Sequence, residues 1–472
     1  MRKPLSAKYG CVVLACHARA CGDESHSRSR ADSGFRKSAC RNCLYTNPFA
    51  YDVASIIKSP YNTNMVKFFL LVTLFALTTT VAQFAEAQRF EFRHIEGARY
   101  RILSEVDQAV FINGVLSHRA EILNRIAVEV VEVNDDRGLH RATFQTSERL
   151  VFDMELGRIT EPASYQLTRE YESVFERDRF GHITIGPQYF MPVVRNVPVF
   201  PDRELSIGDR WHAPAHEVHD FRDTFGIPEP YHIPFNAFYE FLGYREWRGV
   251  SFPAFSVNYN IETRPPPVQG RLYPVRISGT FNMLVFWDHS LGQAKAYEET
   301  FRLLFEMSDG RRIEFRGNAH AEFIEAEYMD RQQLVAEIME ELERLDISDV
   351  SVTAVDEGIS LSLEDIRFFP DSARMLPGEE ERLERIAQIL MLHPDRDIMI
   401  SGHAALAGSR EFLLRLSQDR ARAIADFLIA RNVRTADRIV IRGFGADRPI
   451  ADNATEEGMR RNRRVEITIL EN

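Results

Sequence analysis

No cysteine follows Cys43 in this chain of 472 residues. The five present are Cys11, Cys16, Cys21, Cys40 and Cys43. The rest of the chain can therefore hold neither a disulfide nor a cysteine-ligated metal. Lysine is nearly absent too, and Lys295 is the one lysine beyond Gln88. The basic residues there are arginines, which favour planar, bidentate pairing with carboxylates. Composition bias is the simpler account of that excess. Long apolar runs are missing as well. A membrane-crossing helix needs about 20 apolar residues, whereas the run from Phe68 to Leu77 ends in threonines. The sequence also lacks a G-x-S-x-G, a P-loop and a G-x-G-x-x-G. Nothing in it resembles an acid/base or nucleophile set. No enzyme, catalytic residue, cofactor or metal is expected. The net charge of -11 removes the basic footprint that nucleic-acid binding needs.

What is present begins at a second methionine, Met65. Lys67 supplies a short positive segment, Phe68 to Leu77 is apolar, and Ala85-Glu86-Ala87 has the small-x-small form of a cleavage site. This is the pattern of a secretory signal peptide, residues 65–87. Such signals work at an N-terminus. Residues 1–64 are therefore read as mis-assigned upstream sequence, with a cysteine-rich extension as the alternative. Removing residues 1–87 takes away 11 basic and 5 acidic residues and leaves a charge of -17. No cysteine stands at the cleavage site to carry a lipid. The expected location is the periplasm, in association with the outer membrane.

Residues 88–326 read as strands. Ile126, Val128 and Val130 alternate with polar or small neighbours, Asn134 to Gly138 is a turn, and Leu139 to Thr146 returns. This is a hairpin pattern. A second hairpin turns at Ser308-Asp309-Gly310, where Asp-Gly between alternating runs is a strong turn signal. Proline-rich seams at 196–211 and at Pro265-Pro266-Pro267 suggest two β-rich antiparallel domains, 88–196 and 197–326. In 327–347, Leu334, Ile338, Leu342 and Leu345 share one helical face, which predicts a linker helix. The period then alternates between strand and helix through 348–472. The expected class is α+β multidomain, ending in a two-layer α/β sandwich.

Five segments of that last region read IRFFPDSARMLPGEEERLERIAQIL, IMISGHAALAG, LSQDRARAIADFLI, VIRGFGADRPIADNATEEG and NRRVEITI. In order and spacing they resemble the OmpA-like C-terminal domain family over 359–470. The resemblance implies a peptidoglycan partner, bound through the end of a diaminopimelate side chain that carries an ammonium and a carboxylate. In the family, a Gly-His-Thr-Asp loop takes the ammonium on its Asp, and an arginine in Leu-Ser-x-x-Arg-Ala takes the carboxylate. Here Arg420 matches the arginine and His403 the histidine, while Asn462, Arg463 and Arg464 match the closing motif. Ala404 and Ala405 stand at the Thr and Asp positions. Leu413 replaces a family Asn, and Met459 a family Arg. The resemblance thus implies a ligand corner at Arg420, His403, Ala405, Asn462 and Arg463 that is altered, with binding weak or lost. The alternative is a structural protein whose β-rich part binds a protein or lipid partner.

Two further features have bland readings. His212, His216, Glu217, His219 and Asp220 cluster, but their spacing is not that of a helical zinc motif. With Pro214 among them they read as exposed strand residues. Trp211, Trp247 and Trp287 could line a groove, but read better as sheet packing. A transmembrane barrel over 88–326 would need an apolar outer face, and the charged residues of EFRGNAHAEF are read as counting against it.

Overall fold

The computed structural model describes residues 87–471, apart from 154–157, 160–163, 326–328, 349, 356 and 365, together with the short strands Tyr9–Gly10 and His17–Ala18. The signal peptide expected at 65–87 lies, but for Ala87, outside these residues. So does the rest of 1–64.

Strand β1 (Arg99–Ile112) starts a long antiparallel sheet with β2 (Val115–Asn134), β3 (Arg137–Asp153) and β4 (Gln166–Asp178). A short segment then carries β5 (Ile183–Ile185) and β6 (Val194–Arg195). The second half of the sheet is β7 (Arg210–His219), β8 (Tyr231–Trp247), β9 (Val250–Thr263), β10 (Pro274–Asp288), β11 (Gln293–Met307) and β12 (Arg312–Glu325). Each of β7 to β11 pairs with the next in antiparallel register.

The two halves are one sheet. β12 pairs with β1 from Ile313↔Ile112 to Glu325↔Tyr100. At the other end β5 pairs with β4 and β6 with β7, so residues 183–195 join the two margins. The sheet wraps around one core that contains Val110, Ile126 and Phe144 from the first half and Tyr259, Phe281 and Phe315 from the second. The boundary expected near 197 separates no cores. The proline seam there is a connecting segment within one wrapped sheet.

The alternation seen in the sequence sets the inside and outside. On β12, Ile313, Phe315, Ala319, Ala321 and Phe323 are buried, while Arg316, Asn318 and His320 are exposed. The apolar face thus points inward, the reverse of a membrane barrel. The ring packing needs space at two glycines. A Cβ on Gly317 would lie 2.6 Å from the Phe301 ring, and one on Gly279 would lie 2.7 Å from the Phe281 ring. Trp287 is fully buried in a second aromatic cluster with Phe90, Phe200 and Phe255. Trp211 packs against both clusters. Trp247 is partly buried against Phe286.

Helix α1 (Arg331–Arg344) follows. Asp330 caps it by accepting hydrogen bonds from the Gln332 and Gln333 amides. Leu334, Ile338 and Leu342 then enter the core of the C-terminal sheet, so the linker helix belongs to that unit. The sheet's strands are β13 (Val350–Val355), β14 (Gly358–Glu364), β15 (Ile398–Gly402), β16 (Ile439–Gly443) and β17 (Arg464–Leu470). Their order is β13-β14-β17-β15-β16, with only β15–β16 parallel. Helices α2 (Glu379–Met391) and α3 (Arg410–Ala430) bury Leu383, Ile386, Ile424 and Leu428 in its core. A short α4 (Glu456–Asn462) precedes the last strand. Strand β13 and helix α4 are additions to the elements read from the sequence.

Candidate functional site

The site grows from the end of β15. Gly402 ends the strand, and a Cβ there would lie 1.9 Å from the Ser417 carbonyl oxygen. Only glycine lets α3 approach so closely. Ser417 Oγ donates to Leu414 O at 2.9 Å and accepts from the Gly445 amide at 2.8 Å. These contacts fix the loop 403–409 between the ends of β15 and β16.

His403 is buried, its ring stacked on Phe444 at 5.1 Å. Its Nε2 lies 3.4 Å from Glu466 Oε2. Burial lowers the imidazole pKa, against the raising effect of Glu466, so the ring is neutral near pH 7. Burial also opposes ionisation of Glu466, but His403 and Arg464 outweigh it and hold the carboxyl at about 2. With a neutral imidazole, Arg464 is the cation of this group. Its Nε and Nη2 both lie 2.7 Å from Glu466 Oε1.

Ala404 and Ala405 are both buried. The Ala404 amide donates to Gly445 O at 2.7 Å. The Leu406 amide donates to Asn453 Oδ1 at 3.0 Å, and the same oxygen accepts from Asn462 Nδ2 at 3.0 Å. Asn462 is fully buried and also binds the Ile450 and Ala451 amides and Ala451 O. Asn462 therefore acts through Asn453 as the support of the loop and has no hydrogen-bonding group left for a ligand.

Arg420 reaches the hairpin that precedes α2, where Phe368 and Met375 form a bridge. Its Nε donates to Ser372 O at 3.1 Å, and its guanidinium lies 4.9 Å over the Phe368 ring. No ion pair with a carboxylate forms at Arg420 among the described residues. Burial lowers its pKa, Arg463 lowers it further, and Asp371 opposes. Arg463 itself is exposed. The structure thus brings His403, Ala405 and Asn462 into one loop assembly and sets Arg420 and Arg463 within electrostatic reach of each other. At 405 the side chain is a buried methyl group.

Sequence reasoning missed Asn453, Ser372, Phe368 and Glu466. Glu466 had a signal: it follows Arg464 by two residues on one strand, which puts both on one face. The hairpin carbonyl of Ser372 had none.

The histidine-rich strand is a correction. Glu217 and His219 are fully buried inside the wrapped sheet, not exposed. Among the described residues no group of three His, Cys, Asp or Glu side chains is arranged to hold a metal. No described helix is long and apolar enough to cross a membrane.

Residues 367–463 match the OmpA family. That segment is an OmpA family domain. The chain is 42% identical over 104 residues to the peptidoglycan-binding protein ArfA of Mycobacterium tuberculosis, covering 22% of this chain and 32% of that protein. It is 37% identical over 121 residues to the probable lipoprotein YiaD of Escherichia coli, covering 25% and 55%. The chain thus spans from about a third to just over half of the length of these relatives. Among solved structures, the peptidoglycan-associated lipoprotein of Burkholderia pseudomallei is 30% identical, with 22% of this chain and 88% of that one covered, at a TM-score of 0.21. The family match leaves residues 88–366 outside it.

Proposed function

We propose that this chain is a periplasmic cell-envelope protein, exported by the segment 65–87, whose OmpA family domain meets the peptidoglycan layer through an altered ligand corner. It acts by binding and not by catalysis. The relatives named for binding or associating with peptidoglycan support the partner. The observation that carries the alteration is the pairing of Ala405 with an Arg420 already bound to Ser372 O. A charge-assisted contact contributes about 1.5–3 kcal/mol. Losing about 3 kcal/mol would turn a micromolar site into one near 0.2 mM. A ligand ammonium placed against the Ala405 methyl would be a buried, unpaired charge, which costs several kcal/mol. A ligand with a carboxylate and no ammonium fits this corner better.

The same two residues favour a second reading, in which the domain has lost peptidoglycan and the wrapped β-sheet binds a protein or lipid partner. Co-sedimentation of the purified protein with peptidoglycan sacculi separates the two. If the parent stays in the supernatant and Ala405→Asp pellets, the corner is degenerate and the second reading stands. If the parent pellets and Arg420→Ala does not, the domain is a wall anchor despite its alanine.

A further inference from the structure

A second site lies where the outer face of β1 to β4 meets the base of the OmpA family domain. The two sheets touch through polar contacts. Arg422 donates to Gln166 Oε1 at 2.9 Å, Arg442 to Glu170 Oε2 at 2.9 Å, and Gln166 bridges Ile441 at the edge of the C-terminal sheet. Beside these contacts is a cleft of about 410 Å³. Its floor includes Arg101 of β1, Arg125 of β2 and Asp397 from the turn before β15.

Several arginines share the Asp397 carboxylate in this floor. Arg101 Nη1 and Arg125 Nε both lie 3.4 Å from the same oxygen, Asp397 Oδ2. Arg438 Nε takes the other oxygen, Oδ1, at 2.9 Å. Three guanidinium groups therefore converge on one carboxylate, and the two from the β-sheet are held at long range. Arg125 has one further partner, the Asp437 carbonyl. Two buried donors remain, Arg101 Nε and Arg125 Nη1, with no hydrogen-bond partner among the described residues. A buried guanidinium nitrogen without an acceptor is costly. Burial lowers the pKa of both arginines, and Arg438 adds to this at Arg101. An anion placed between them would reverse that effect.

We propose that this cleft binds a small molecule through one oxyanion group, a carboxylate or a phosphate, held by Arg101 and Arg125. Guanidinium forks match the geometry of both groups. The rest of the cleft limits the ligand. Glu172 and Glu357 also line it, are exposed, and make no ion pair among the described residues. They repel a second anionic group, so a polyanion is excluded and a single acidic head is required. Arg101 and Arg125 come from one sheet and Asp397 from the other, so an anion held by the two arginines would compete with Asp397 for the contact between the sheets.

Isothermal titration of the purified protein with inorganic phosphate and with butyrate, a monocarboxylate, at constant ionic strength, tests this. Vesicles of phosphatidylcholine with and without phosphatidic acid form a further arm. The expected result is saturable binding of phosphate or butyrate. It should weaken about ten-fold or more in Arg125→Gln and remain unchanged in Arg410→Gln, which breaks only the exposed pair with Asp447. If Arg125→Gln does not fold, Arg101→Gln serves in its place, since that side chain is 22% exposed. Binding to the acidic vesicles with no response to either free anion would assign the site to a lipid headgroup and overturn the small-molecule proposal. No saturable binding in any arm, or equal binding by the parent and both arginine variants, would overturn it altogether.

Discussion

His219 Nε2 lies 2.9 Å from Glu217 Oε2, with both side chains sealed inside the wrapped sheet. A third polar side chain, Glu299, enters the same interior from β11 and is 2% exposed. Neither Glu299 oxygen has a hydrogen-bond partner among the described residues. Burial, with Glu217 adding its charge, raises the Glu299 carboxyl to about 8. Glu299 therefore carries its proton at neutral pH in the folded protein, whereas the unfolded chain releases it near 4.5. The folded state then binds more protons than the unfolded one between those values, and stability falls as pH rises through the window. The contribution is fully present below pH 4.5 and lost above about 8. Its slope is on the order of 1.4 kcal/mol per pH unit. Glu299→Gln, which keeps the shape and cannot ionise, should flatten this part of the curve and stabilise the protein most at alkaline pH. Urea midpoints at several values between pH 5 and 9 measure it. Parallel curves for parent and variant would sink the assignment.

The same strand shows why this interior was not legible in the sequence. Pro214 sits five residues before His219, and with it the cluster reads as exposed strand residues. The proline is in fact accommodated within β7 because β6 covers only His216 and Glu217, leaving an edge at 214. The register beyond it turns Glu217 and His219 inward. The C-terminal unit was easier. Its helices and strands are set by local periodicity, and the residues around Gly402 and Arg420 follow a family order. The pairing of β1 with β12 joins Asp107 to Asn318. No local pattern states which distant strand is a neighbour, so a proline seam was read as a domain boundary. The alanine at 405 is plain in the sequence. The carbonyl that occupies Arg420 was not, because a backbone acceptor on a hairpin has no side-chain signature.

Gly402→Ala should be far more damaging than its one added methyl suggests. The clash is with the Ser417 backbone carbonyl at 1.9 Å, and a helix backbone cannot rotate away as a side chain can. Relief requires α3 to move off β15, which opens packed surface on both. The expected loss is roughly 2–4 kcal/mol, in the range of severe overpacking. Gly310→Ala is a useful contrast. Its Cβ meets nothing within 4 Å, and only the positive φ of 86° is strained, so it should lose roughly 1 kcal/mol. Thermal unfolding of the two variants checks the order. An equal or reversed ranking would mean that the helix is not held as close to the strand as described.

Asn462→Ala should loosen the loop that holds Ala405 from a distance. Asn462 uses all of its side-chain hydrogen-bonding groups on Ile450, Ala451 and Asn453. Removing them strands buried partners and should cost roughly 2–4 kcal/mol. The local consequence is more specific. Asn453 Oδ1 accepts from both Asn462 Nδ2 and the Leu406 amide, so the loop holding Ala405 loses the group that orients its anchor. Amide hydrogen exchange should accelerate at Leu406 by more than at Ile400, in the middle of the fully buried strand β15. Asn453→Ala should reproduce the faster exchange at Leu406 with a smaller loss of global stability, because Asn453 is only partly buried. If Asn462→Ala speeds exchange uniformly and Asn453→Ala leaves Leu406 protected, the two asparagines do not act in series. The loop would then owe its position to the Ala404 amide and the Gly445 carbonyl alone.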